Sequence, residues 1–166
     1  MFARLFQFYR EKSWLNWFLS VPLDYKNMKW ISTNVVYDEF PLYLRRPDYQ
    51  DVWNYKIRFT QRLNISHHLD KVKQNGLPES DYNLSLSDFD SDLCNLFDDH
   101  SEGIIFLIET YGGERNYWYY ISEQTDYLNK IERIRQEFPN NAIESDLNDD
   151  TNWGFIKSYP FEIYNK

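Results

Sequence analysis

The stretch IIFLIETYGGERNYWYYI, residues Ile104 to Ile121, reads as a β-hairpin. Ile104 to Ile108 is apolar at every position, the mark of a strand buried on both faces and central in its sheet. Gly112 and Gly113 supply a two-residue turn. The returning strand is mostly aromatic. Strand alternation sends Tyr117, Tyr119 and Ile121 to one side and Trp118 and Tyr120 to the other. One side should meet helices. The other leaves an aromatic sheet surface near Arg115, to be covered by the aromatic C-terminal tail or by a partner protein.

Helical spacing flanks the hairpin. Upstream, Leu86, Phe89, Leu93, Leu96 and Phe97 fall on one stripe, with Ser85 or Ser87 as a cap and Asp88 favourable to the helix dipole. Downstream, Tyr127, Leu128, Ile131, Ile134 and Phe138 mark a second amphipathic helix, stopped by Pro139. Earlier, Tyr55, Ile57, Phe59, Leu63 and Ile65 alternate with Lys56, Arg58, Thr60, Arg62 and Asn64, the period-two pattern of a half-buried strand. A loop over residues 66–84 follows. A short strand from Ala142 to Leu147 closes the order. From residue 55 that order is strand, helix, strand, strand, helix, strand. It predicts an α+β fold of the ferredoxin-like split βαβ type, an antiparallel sheet with two helices on one face. One extra strand, Val35 to Leu44, precedes it, with Pro41 marking an edge or bulge.

Residues 1–29 form a separate element, an N-terminal amphipathic helix and its connection. Phe2, Leu5, Phe6 and Tyr9 recur at helical spacing, and Leu15, Phe18 and Leu19 continue it after a phase slip. Trp14 and Trp17 lie beside the stripe, and Pro22 ends it. Arg10, Glu11 and Lys12 interrupt any apolar run of membrane length. The expectation is a soluble helix, packed on the domain or mediating association. Residues 30–166 make a single α+β domain.

Composition narrows the function. Of 166 residues, 19% are aromatic (14 Tyr, 12 Phe and 6 Trp) and only 5 are Gly, the opposite of a disordered bias. Tyr and Trp also suit contact surfaces. The net charge is -8, from 18 basic and 26 acidic residues. Direct nucleic-acid binding is disfavoured, because the basic residues are scattered and phosphate recognition needs a basic patch. A basic protein partner fits better. The single cysteine, Cys94, excludes an intrachain disulfide and fits a reducing cytoplasm.

No constellation supplies catalysis. Asp88, Asp90, Asp92 and Asp99 resemble the spacing of a calcium loop. Leu93 stands where such a loop needs Gly, though, and the apolar stripe demands a helix. No metal or cofactor is expected. His67 and His68 point to opposite faces of a strand, poor geometry for a shared site. Acidic neighbours discourage a reactive Cys94 thiolate. No nucleophile elbow, P-loop or dinucleotide fingerprint occurs. The binding candidates are Glu114, Arg115, Tyr117, Trp118, Tyr119, Tyr120 and, in the tail, Trp153.

Several short motifs carry a resemblance. Gly76-Leu77-Pro78, the acidic helix, and Gly113-Glu114-Arg115 followed by Tyr119-Tyr120 resemble a bacterial family known as domain of unknown function 695. Asp150-x-x-Trp153-x-Phe155 and Tyr159-Pro160 resemble its closing motif, without a Pro after the Asp. The likeness spans about residues 30–160. The Gly, Arg and double-Tyr pattern of the hairpin also resembles the regulator of ribonuclease E activity B, which implies inhibition by protein contact. Neither resemblance implies a catalytic residue.

The expected function is therefore a non-enzymatic protein-binding or regulatory domain. One alternative is an immunity protein that neutralises a basic toxin. Another is a hydrolase or nuclease using His67 or His68 with nearby carboxylates.

Overall fold

The computed structural model describes residues 28–97 and 100–165. In it Gly112 and Gly113 have φ of 59° and 89°, the left-handed backbone that a tight turn between twisted strands requires. The hairpin they close joins β4 (Gly103–Tyr111) to β5 (Glu114–Ile121). Before it come β1 (Trp30–Tyr37), β2 (Phe40–Pro47), β3 (Gln61–His68), α1 (Ser80–Ser85) and α2 (Ser87–Cys94). After it come α3 (Tyr127–Glu137), β6 (Ile143–Asp149) and α4 (Gly154–Ser158). The class is α+β. All six strands pair antiparallel in one open sheet, in the order β1-β2-β4-β5-β3-β6.

Two apolar layers sandwich the sheet. On one side Leu63, Ile65, Tyr117 and Tyr119 meet Phe89 and Leu93 of α2 and Ile131 and Ile134 of α3. On the other, Leu42, Leu44, Ile104, Phe106 and Tyr120 meet Trp153, Ile156, Ile163 and Tyr164 of the C-terminal tail. A bulge in β4 serves the tail side. The pairing steps from Ile105↔Tyr119 to Leu107↔Trp118 and skips Phe106. The extra residue lets the adjacent Phe106 and Leu107 join the same tail-side cluster.

Several expectations need correction. The single strand from Val35 to Leu44 is a hairpin, β1 and β2, turning through Asp38 and Glu39. Both turn residues have positive φ, a conformation usually left to Gly or Asn, so no turn signal marked the break. Pro41 is tolerated because β2 pairs with β4 only over Tyr43 to Arg45. The strand read from Tyr55 begins at Gln61 instead. Asp51 accepts from Trp53 N and starts a 3-10 turn over Val52–Tyr55. Ile57 is left 91% exposed.

β3 extends to His68 and α1 begins at Ser80, so both ends of the expected loop over 66–84 are structured. The acidic helix is broken at Leu86 into α1 and α2, and no serine side chain caps it. Ser85 Oγ donates instead to Tyr82 O at 2.7 Å. Leu128, placed on the α3 stripe, is 59% exposed. Asp126 caps α3 by accepting from Asn129 N. The N-terminal helix and Asp99 lie outside the described residues. Among the described residues no helix is long and apolar enough to cross a membrane.

Candidate functional site

The hairpin positions two polar groupings, one on each side of the sheet. On the helix side, Arg115 faces α1 and α2. Its Nη1 donates to Asp90 Oδ1 at 3.1 Å, its Nη2 to Asn83 Oδ1 at 2.6 Å and its Nε to Thr110 Oγ1 at 3.1 Å. Arg45 on β2 donates to both Asp90 oxygens, at 2.7 and 2.8 Å. Tyr117 OH donates to Asp90 Oδ1 at 2.8 Å. Asp90 and Arg115 are buried. Burial pushes the Asp90 carboxyl up, but the guanidiniums of Arg45 and Arg115, with the hydrogen bonds from Arg45 and Tyr117, hold it below the ordinary carboxylate range. Burial pushes the Tyr117 hydroxyl well up, and Asp90 adds to it.

A carboxylate so held is a poor general base, which needs a pKa near the working pH. The cluster does mechanical work instead, tying α1 and α2 to β2, β4 and β5. Asp90, read within a calcium-like spacing, is thus an ion-pair partner.

His67 sits opposite Arg115 in the β3–β5 register and is buried, its ring 4.8 Å from Phe89. Burial and the Arg115 guanidinium push its pKa down to about 4. His68 points to the other side, exposed, with Nδ1 3.2 Å from Glu114 Oε1. The two histidines do not converge.

On the tail side Asp150 is the hub. It accepts from Tyr120 OH at 2.7 Å, Gly154 N at 2.6 Å and Phe155 N at 3.1 Å. These contacts fix Trp153 in the left-handed region, at φ 54°. Its indole stacks on Tyr120 at 4.1 Å and 7° and donates to Phe59 O at 2.7 Å. Further along the tail, Tyr159 OH donates to Glu109, whose carboxyl burial pushes up. Tyr164 OH bonds Pro47 O and Phe106 O, each at 3.0 Å.

The tail leaves part of this side open. Strand alternation puts Arg62, Asn64 and His68 of β3, Glu114 and Asn116 of β5, and Glu144, Asp146 and Asn148 of β6 on it. Glu144, Asp146 and Asn148 are exposed. Asn64 Nδ2 donates to Asn116 Oδ1 at 3.2 Å. The Arg62 guanidinium lies 4.6 Å from the Phe155 ring and 5.4 Å from that of Trp118.

The residues singled out from the sequence therefore separate. Arg115, Tyr117, Tyr119, Tyr120 and Trp153 are buried, while Glu114 and Trp118 are half-buried. Arg115 and Glu114 point to opposite sides. The aromatics of the strand are core on the helix side, and on the other side the tail packs over Tyr120 and against Trp118. Sequence reading missed Arg45 and Asn83, whose link to Asp90 and Arg115 runs across the sheet and carries no local signal. Asp150 stands out in the sequence only as part of the Asp150-x-x-Trp153-x-Phe155 motif.

The family model described as "Family of unknown function (DUF695)" matches residues 46–159. No curated protein and no solved structure matches the chain.

Proposed function

The chain belongs to this family of unknown function, whose description assigns no reaction, and we propose that it is a protein-binding or regulatory domain acting by contact on a basic partner. One observation carries the reading. The open part of the tail side carries acidic and amide side chains, Glu114, Glu144 and Asp146 with Asn64 and Asn116, beside the stack of Arg62, Trp118 and Phe155. Aromatic and Arg side chains flanked by polar groups suit a protein contact surface. Carboxylates there favour a basic partner and speed its approach. The candidate contact residues are accordingly Glu114 and Trp118, with Arg115, Tyr117, Tyr119, Tyr120 and Trp153 supporting them from within.

The strand order β4-β5-β3-β6, with α2 after β3 and α3 after β5, supports a ferredoxin-like split βαβ reading of this half of the sheet. The hairpin's likeness to the regulator of ribonuclease E activity B supports inhibition by contact. A basic toxin neutralised by this surface is the narrower form of the proposal.

The test is affinity capture by the full chain beside Glu144→Lys/Asp146→Lys. The wild type should retain a basic partner that salt releases and the double variant loses. Equal capture by both proteins, or a measured turnover with no partner, would overturn the proposal.

A further inference from the structure

We infer that Glu109, beside Trp118 and Tyr159, is the seat for one arginine side chain of the basic partner. The inference rests on the contact reading above and names the chemistry of its anchor. Glu109 on β4 pairs with Leu44 of β2 and with Asn116 of β5. Leu44 belongs to the tail-side core, so Glu109 faces the tail. Glu144, Ser66, Asn116 and Glu109 form one row across β6, β3, β5 and β4. Three strand spacings separate the ends of the row, about 14 Å. An interface of ordinary size, about 800 Å² on each partner, spans that distance. A partner that covers the exposed Glu144 therefore extends to Glu109.

Glu109 lacks what the enclosed Asp90 has. Asp90 is held by the guanidiniums of Arg45 and Arg115. Among the described residues no basic side chain forms an ion pair with Glu109. Its Oε2 accepts from the Tyr159 hydroxyl, which fills one of about four lone-pair positions on a carboxylate. Burial pushes the Glu109 carboxyl up. The Tyr159 hydroxyl and the Trp118 indole oppose this, and the like charge of Glu114 adds to it. A largely enclosed Glu normally has a cationic partner. An incoming cation would supply one and stabilise the charged form.

The neighbouring rings suit a guanidinium. Phe155 lies 4.3 Å from Trp118 and 5.6 Å from Tyr159. All three rings are half-buried, so part of each meets solvent. The fold already sets one guanidinium on this cluster, that of Arg62, 4.6 Å from Phe155 and 5.4 Å from Trp118. Arg62 stands on β3 and Glu109 on β4, with Trp118 on β5 between them. The Glu109 side of Trp118 is thus left to another cation. Arginine fits it better than lysine, because its planar fork meets a carboxylate with two donors and stacks on aromatic faces.

The test titrates the full chain with Nα-acetyl-arginine amide and with its neutral isostere Nα-acetyl-citrulline amide, following the indole N–H resonance of Trp118. The arginine probe should bind about tenfold more tightly, and Glu109→Gln should abolish the difference. Without a probe, Glu109→Gln should melt no lower than wild type, because it removes a charge that no cation balances. Trp118→Leu keeps the carboxylate and should weaken the arginine probe about threefold. Equal binding of the two probes by wild type overturns the inference, as does an undiminished arginine preference in Glu109→Gln. A lower melting temperature for Glu109→Gln would make the carboxylate structural and also overturns it. In affinity capture, Glu109→Gln should lose the partner as Glu144→Lys/Asp146→Lys does. If it retains that partner, the seat falls and the contact reading stands. Arginine preference with no partner captured leaves the seat and overturns the contact reading.

Discussion

Gly76 and Gly112 meet backbone to backbone. A Cβ built on Gly76 would lie 2.9 Å from Gly112 Cα. Gly113 N donates to Gly76 O at 2.9 Å, so the loop after β3 is fastened to the hairpin turn. Both glycines also have positive φ, 79° and 59°. Gly112→Ala meets nothing within 4 Å and bears only the left-handed penalty, about 1 kcal/mol. Gly76→Ala bears that penalty and must also push two backbones apart, for a total of about 2–4 kcal/mol. Urea denaturation of the two variants should rank them in that order. Equal midpoints would refute the close approach as the reason for Gly76.

Asp90 is shared by Arg45 and Arg115, and its removal should cost more than that of either arginine. Arg115→Ala leaves the carboxylate with Arg45 and Tyr117. Asp90→Ala leaves two guanidiniums beside each other without an anion, at about 3–5 kcal/mol. Arg115→Ala should melt lower than wild type by a smaller margin. A double-mutant cycle on Arg45 and Arg115 should show strong coupling, since both bind one acceptor residue. An Asp90→Ala protein as stable as wild type would sink this account.

The parts legible in the sequence are those whose signal is local and periodic. The hairpin announces itself through Gly112-Gly113, and its alternation correctly divides Tyr117 and Tyr119 from Trp118 and Tyr120. The α3 stripe and its stop at Pro139 are equally local. What escaped depends on distant partners or unusual backbone. The turn at Asp38-Glu39 adopts positive φ without glycine. The 3-10 turn at Val52–Tyr55 sits inside an apparently alternating run. Arg45 looks like any basic residue until β2 is set beside β4 and α2 is laid over both.

Asp150 holds the tail by three contacts, so the fate of Trp153 should follow it. Asp150→Ala removes the acceptor of Gly154 N, Phe155 N and Tyr120 OH. Loss of such a cap costs about 1–2 kcal/mol. The Trp153–Tyr120 stack should loosen and the near-ultraviolet dichroism weaken. Tyr120→Phe keeps the stack and both backbone bonds, so it should cost about 1 kcal/mol or less. If Tyr120→Phe is the worse of the two, the tail is held by the hydroxyl and not by the backbone contacts.

His67 makes stability depend on mild acid. Its ordinary pKa is 6.5, and in the fold burial and the Arg115 guanidinium lower it to about 4, against smaller opposing effects of Asp70 and Asp90. Between those values the unfolded chain binds a proton that the native state refuses. Unfolding is thereby favoured as pH falls. The contribution is intact above about pH 6.5 and declines toward pH 4, by about 3 kcal/mol in all. Asp90 acts lower, because its depressed pKa means its contribution is present above the ordinary carboxylate range and is lost as pH falls through and below that range. His67→Phe places a ring beside Phe89 and removes the titration. Its stability should stay nearly flat from pH 7 to pH 5, while the wild type loses ground over the same interval. Urea midpoints at each pH compare the two proteins, and a wild-type slope in His67→Phe would assign the acid sensitivity elsewhere.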